Sequence, residues 1–250
     1  MKKLYIKMPY LTSIGAKIKK REYIEENTKL ILDRTIFIPC DHNNDLEDGE
    51  IDGHKLLDVY EENGEIYHII EGRPEKSDVY LKIKNLKRQR NLEYNAAIIL
   101  IRLSMNKFYN RQSTFFELKD NYCKIKFKDF DQEDINIKAL ESFINYIIDL
   151  GLEINFMDDN YIIESLGAIN YFGVSVKNTN EIKRLKIFKY EIEKNSLSIS
   201  FITGSDYQNY QLRNERILND IKDIAISNDL ASDKVSKIIN KVSEQDFLSK

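Results

Sequence analysis

Few side chains in this sequence can ligate a soft metal or act as a nucleophile. Three histidines, His42, His54 and His68, and two cysteines, Cys40 and Cys123, are the whole supply in 250 residues. Cys40, Asp41, His42 and Asp45 form the densest grouping. A cysteine beside a histidine can be a nucleophile, and the same residues with carboxylates can hold a metal ion. The plainer reading is a polar loop with one half-buried cysteine, because ligands adjacent in sequence converge only where the chain turns sharply. Two imidazoles four residues apart share one face of a helix and can close on one ion. The sequence has no His-x-x-x-His, and no histidine lies beyond His68. The two distant cysteines point to a reduced compartment rather than a disulfide scaffold.

Charge is the second chemical feature. The net formal charge is −3, yet its distribution is uneven. Residues 1–21 hold seven Lys/Arg and no acid. Residues 81–111 hold eight, namely Lys82, Lys84, Lys87, Arg88, Arg90, Arg102, Lys107 and Arg111, against the single acid Glu93. Such separation can give an acidic protein a local phosphate-binding face, or can be an ordinary solvated surface. No apolar run approaches the length of a membrane span, and the basic N-terminus lacks the apolar stretch and cleavage site of a signal peptide. The expectation is a cytoplasmic protein that does not engage a membrane.

The elements that must position these groups fall into three stretches. Residues 1–84 read as β, with candidate strands at 4–7, 16–24, 29–38, 54–61 and 66–71. Turn chemistry separates them at Glu26-Asn27-Thr28 and at Glu62-Asn63-Gly64; Asn-Gly between two apolar runs is a strong hairpin signal. Short strands at this spacing predict a small β-barrel. Residues 85–205 read as α+β. The stretch 86–109 has Leu92, Ala96, Ile99, Leu100 and Leu103 at helical spacing, a hairpin follows at 115–119 and 123–127, and an amphipathic helix at 134–150 ends at Gly151. Further strands are expected near 153–156, 161–165, 182–190 and 197–203. Residues 206–250 read as a helical tail of two narrow-striped helices, the second opened by Ser232-Asp233. The fold class is α+β.

Leu30-Ile31-Leu32-Asp33-Arg34-Thr35-Ile36-Phe37-Ile38-Pro39 is a hydrophobic strand running into Thr-x-Phe-Ile-Pro. It resembles the first signature, ending Thr-x-Phe-Tyr-Pro, of the AlaX-type alanyl-tRNA editing family, whose module also forms the editing domain of alanyl-tRNA synthetase. Gly49-Glu50-Ile51, Lys55-Leu56-Leu57-Asp58-Val59 and Ile66-Tyr67-His68-Ile69-Ile70-Glu71-Gly72 follow at the family's spacing. Leu140-Glu141-Ser142-Phe143-Ile144-Asn145 matches the helix between the two metal-binding halves. Val174-Ser175-Val176-Lys177-Asn178-Thr179-Asn180-Glu181-Ile182 resembles the stretch after the family's Cys-Gly-Gly-Thr-His. The resemblance runs from about residue 4 to about residue 204, and the tail from Asp206 is similar to the helix after the synthetase editing domain.

The resemblance implies zinc held by His-x-x-x-His and Cys-x-x-x-His. At those positions this chain carries Asn95, Ile99, Tyr171 and Ser175, so it is identified as a degenerate member without the zinc ligands, and no cofactor is expected. The glycine-rich Gly-Gly-Gly-Gln is replaced by Asp41-His42-Asn43-Asn44. Thr35 stands at the family's threonine, which helps recognise a serine hydroxyl; it can equally be a β-branched strand residue. Thr35, Cys40 and His42 are therefore the catalytic candidates. His68 is expected on a strand without a metal role. Three functions fit: a tRNA-binding relative of the editing hydrolases with weak or absent deacylase activity, a metal-independent hydrolase of mischarged alanine tRNA, or a non-catalytic scaffold. The first is preferred. Its expected phosphate contacts are Lys84, Lys87, Arg88, Arg90 and Arg102, tRNA is the expected partner, and self-association through residues 206–250 stays open.

Overall fold

The computed structural model describes residues 1–40, 46–130 and 135–227. It begins with β1 (Lys2–Lys3), α1 (Leu4–Lys7), β2 (Ser13–Ile24), β3 (Asn27–Leu32), β4 (Arg34–Thr35), β5 (Gly49–Ile51), β6 (His54–Glu62), β7 (Glu65–Glu71) and β8 (Asp78–Ile83). Six of these strands close into a hydrogen-bonded ring in the order β2-β3-β7-β6-β5-β8. Its strands alternate as one buried face requires: in β8, Val79, Leu81 and Ile83 point inward between exposed neighbours. The β6–β7 connection is the expected Asn63-Gly64 turn, with both residues at positive φ (+51° and +77°) as a tight hairpin demands.

Two expected strands are corrected here. Residues 4–7 form a single helical turn, closed by Met8 N–H to the Leu4 carbonyl at 2.8 Å, which buries Tyr5. The run 29–38 breaks at Asp33. Its amide bonds to the Lys17 carbonyl (2.9 Å) and its carboxylate accepts from Lys17 N–H (2.7 Å), which pins the chain there. Beyond β4, side chains replace a strand partner. Thr35 Oγ1 accepts from Phe37 N–H (3.1 Å) and the Glu47 carboxylate accepts from Ile38 N–H (3.0 Å).

The second half holds α2 (Asn85–Tyr109), β9 (Ser113–Leu118), β10 (Cys123–Lys128), α3 (Ile137–Leu150), β11 (Ile154–Met157), β12 (Asn160–Ile163), β13 (Gly167–Asn170), β14 (Leu185–Glu193), β15 (Ser196–Thr203) and α4 (Gly204–Ser227). β14-β15-β10-β9 form one antiparallel sheet and β11-β12-β13 another. The molecule is thus mixed α+β. β1, β5, β8 and β13 are not among the expected strands. β14 also begins later than the expected residue 182, because Asn178 and Glu181 make a reciprocal capping box that winds Thr179–Ile182 into a 3-10 turn first.

The two helices differ in kind. α3 is amphipathic, with Ile137, Leu140, Ile144, Ile147 and Ile148 buried, Asn136 accepting from Ala139 N–H, and Gly151 in the left-handed cap. By contrast, α2 is buried on every side from Asn91 to Ile101. It runs through a single contiguous apolar core that includes ring residues such as Leu32 and Ile51 and second-half residues such as Ile125 and Phe201. Where α4 starts, Gly204 adopts φ +57° and a Cβ there would collide with the Glu93 carboxylate, which accepts from Ser205 N–H (3.0 Å). The helix expected near residues 235–242 lies outside the described residues.

Candidate functional site

α2 carries two buried polar clusters about two turns apart. In the first, Arg88 is 1% exposed and pairs through Nε and Nη2 with the two oxygens of the Glu47 carboxylate. It also donates to the Pro9 carbonyl (2.9 Å) and the Ile36 carbonyl (2.6 Å). This guanidinium ties the helix to the ring and the N-terminal segment. Arg88 is therefore corrected from a phosphate contact to a buried structural cation, because its donors are enclosed and already bonded.

In the second cluster, Tyr171 donates its hydroxyl to Asn95 Oδ1 (2.6 Å), and Asn95 Nδ2 donates to the Val174 carbonyl (2.8 Å). Tyr161 donates to the Gly173 carbonyl at 2.8 Å. Burial pushes the Tyr161 phenol up to about 12, so it remains a protonated donor. Gly173 is required by close approach: a Cβ would collide with the Tyr171 ring and lie 2.8 Å from Asn95 Nδ2. Ile99 is fully buried one turn along, and Ser175 is 4% exposed with an Oγ that has no partner among the described residues.

The structure thus brings Asn95 and Tyr171 together at the positions where the resemblance implies metal ligands. The donor set does not fit zinc. Ile99 offers no lone pair, and the amide, phenol and hydroxyl are poor ligands compared with imidazole and thiolate. The phenol proton is already given to the amide. Among the described residues no three His, Cys, Asp or Glu side chains cluster as a metal group.

The ring contributes a third buried pair. Thr35 Oγ1 and His68 Nε2 are 2.8 Å apart, and both residues are fully buried. Burial lowers the His68 pKa to about 4, only partly opposed by the Leu30 backbone, so the ring is neutral. Phe37 packs edge-on against it at 5.9 Å. Thr35 consequently presents no hydroxyl to solvent. Cys40 is half-buried; burial first, and the Asp58 carboxylate further, raise its thiol pKa, the opposite of what a nucleophilic thiolate needs. His42 and the rest of the residue 41–45 grouping lie outside the described residues.

The remaining expected cations meet different partners. Lys84 is exposed and paired with Asp48 (2.9 Å), and Lys87 donates to the Leu46 carbonyl (3.0 Å). Arg90 bonds Asp206 (2.8 Å) and the Lys119 carbonyl (2.7 Å) and lies 4.6 Å over the Tyr94 ring. Arg102 reaches the Asn170 carbonyl (3.2 Å), next to Tyr171.

A cleft of about 1090 Å³ opens where the N-terminal segment faces the second half. Lys2, Lys3, Lys7 and Lys177 line it, Lys3 being paired with Glu61 (2.8 Å), together with the acid Glu153; Leu4, Ile154, Phe156 and Val176 are apolar, and Ser175 lines it from the 171–175 segment. Tyr10 holds the two sides together: it accepts from Lys177 N–H (2.8 Å) and donates to Glu181 (2.7 Å). Sequence reasoning missed Tyr10, Tyr161 and Lys177. The acid-free run 1–21 was the available signal, since Lys2, Lys3 and Lys7 belong to it.

A two-part polypeptide with a β ring, an α+β half and a basic cleft between them is the setting for the comparisons with known proteins. No family model matches the sequence. Alanyl-tRNA editing protein AlaX-L of Pyrococcus horikoshii is 27% identical over 278 aligned positions, which cover 98% of this chain and 67% of that protein. Alanyl-tRNA editing protein AlaX-M of the same organism is 26% identical over 202 positions, covering 75% of this chain and 90% of that protein. The chain is homologous to proteins of the AlaX-type alanyl-tRNA editing family.

Proposed function

We propose that this protein binds tRNA as a relative of the alanyl-tRNA editing proteins and works without zinc, with deacylation of the aminoacyl ester weak or absent. The carrying observation is the 2.6 Å hydrogen bond from Tyr171 to Asn95. Two elements that a metal would otherwise cross-link, α2 and the 171–175 loop, are joined here by neutral groups. A buried pair of this kind satisfies its own polar atoms and leaves none directed at a water or an ester. Poor zinc ligands at these positions, on a chain homologous to editing proteins, support a binding role over a fast hydrolase.

The basic cleft supports the tRNA half of the reading. Its lysines suit a phosphate backbone, and its apolar wall suits a terminal nucleotide. Among the described residues no helix is long and apolar enough to cross a membrane, and a cytoplasmic setting beside tRNA is part of this proposal.

Titration with tRNA across salt tests the binding: affinity that falls with rising salt is expected, and its absence removes the reading. Hydrolysis of serine- or glycine-charged alanine tRNA in chelator tests the rest. A rate near the uncatalysed one is expected; rapid, chelator-resistant hydrolysis would replace this proposal with a metal-independent enzyme.

A further inference from the structure

A second cleft, of about 640 Å³, lies where β9 faces the segment 170–172. It shares no lining residue with the basic cleft. Phe172 lines it and is 81% exposed, and Phe115 lines it and is 47% exposed. Behind them Phe116 packs on Tyr171, with ring centres 5.4 Å apart. Two large rings open to water beside one another are not explained by the core, which they do not join.

The cations there are equally suggestive. The Arg102 guanidinium sits 5.8 Å over the Tyr171 ring and uses one nitrogen on the Asn170 carbonyl. Its Nε is buried with no hydrogen-bond partner, and it makes no ion pair among the described residues. A half-enclosed cation without a counter-charge is costly to keep, and an anionic group reaching it would offset that cost. Lys126 lies directly across the β9–β10 ladder from Phe115, with its ammonium 5.8 Å over that ring. The one lining acid, Glu117, is already paired with Lys119.

We propose that this cleft is a nucleotide site, which stacks an unpaired base on Phe172 and Phe115 and takes the adjoining phosphate on Arg102. Exposed aromatic rings with an adjacent guanidinium are the combination that holds single-stranded nucleic acid: every base has a π face, and the phosphate supplies the missing charge. An apolar peptide would cover the rings but leave Arg102 unpaired, so the charge favours nucleic acid. The site deepens the tRNA-binding reading and rests on it for the identity of the RNA.

The test compares the full-length wild type with Phe172→Ala and Phe172→Tyr. Both should fold, because the side chain is largely in solvent. Fluorescence anisotropy is read with a single-stranded decamer oligoribonucleotide, a blunt RNA duplex and tRNA. Phe172→Ala is expected to weaken decamer binding about tenfold, the effect of one lost stacking contact. Phe172→Tyr should restore it, and duplex binding should not change. Arg102→Gln should reduce the slope of log affinity against log salt for the decamer by about 0.7. Equal decamer affinity for wild type and Phe172→Ala overturns the site, as does failure of the decamer to bind at all. If tRNA binds wild type and Phe172→Ala alike, the site falls and the tRNA reading stands. If the decamer shows the tenfold loss while tRNA does not bind, the site stands and the tRNA reading falls.

Discussion

Arg88 and Asn95 lie about two turns apart on α2, and each buries a polar side chain against distant parts of the chain. They solve the same problem in different ways. At Arg88 a full charge is taken out of water and answered by the Glu47 carboxylate and two carbonyls. At Asn95 a neutral amide is answered by the Tyr171 phenol and the Val174 carbonyl. A buried charge demands a charged partner, whereas a neutral group can be satisfied by hydrogen bonds alone. The first cluster is therefore brittle to loss of either partner. The second can be rebuilt with apolar residues, and it occupies the place where the family resemblance implies a metal centre.

Breaking the charged cluster should have the largest effect. Arg88→Ala leaves the Glu47 carboxylate buried and unpaired, and should lower stability by about 3–5 kcal/mol in denaturant unfolding. Arg88→Met combined with Glu47→Leu should lose much less. A double change as damaging as Arg88→Ala alone would show that the charges themselves are needed.

The ring's neutral histidine gives the next effect. The folded pKa of His68 is near 4, below its unfolded value, so between the two the unfolded chain binds more protons. Stability from this group is complete above the unfolded value near 6.5 and is lost as pH falls through that window towards 4. The loss should be about 3 kcal/mol, and His68→Gln should flatten that part of the wild-type stability profile. An unchanged profile would place the charged imidazole in the fold.

The neutral cluster should respond less. Tyr171→Phe leaves Asn95 Oδ1 without its donor and should cost about 1–3 kcal/mol. Asn95→Leu with Tyr171→Phe should recover part of that loss, giving a coupling of about 0.5–3 kcal/mol in a double-mutant cycle. Strict additivity would mean that the two side chains do not support one another.

The contrast also explains what the sequence could reveal. The Asn63-Gly64 hairpin, the Gly151 cap and the β9–β10 hairpin are local features, and each was readable from a few neighbouring residues. The course of α2 was not. Its apolar spacing announced a helix, but not one buried all round, since Glu93 and Asn95 find partners in Ser205, Tyr171 and Val174 far along the chain. The same burial encloses Arg88, which the sequence placed among the phosphate contacts. Scarcity of histidine was legible by counting alone. That Tyr171 would reach Asn95 was visible only as two resemblance-based positions 76 residues apart, and it required the fold. The Phe172 cleft had no local pattern, because its rings come from β9 and from the loop after β13.

The proposal of a zinc-free protein rests on the neutral hydrogen bond between Tyr171 and Asn95. The most direct measurement is zinc content by elemental analysis, on full-length protein purified in zinc-supplemented buffer and then desalted. Zinc far below one equivalent per chain is expected. One tightly held equivalent per chain, lost on Asn95→Leu, would contradict it.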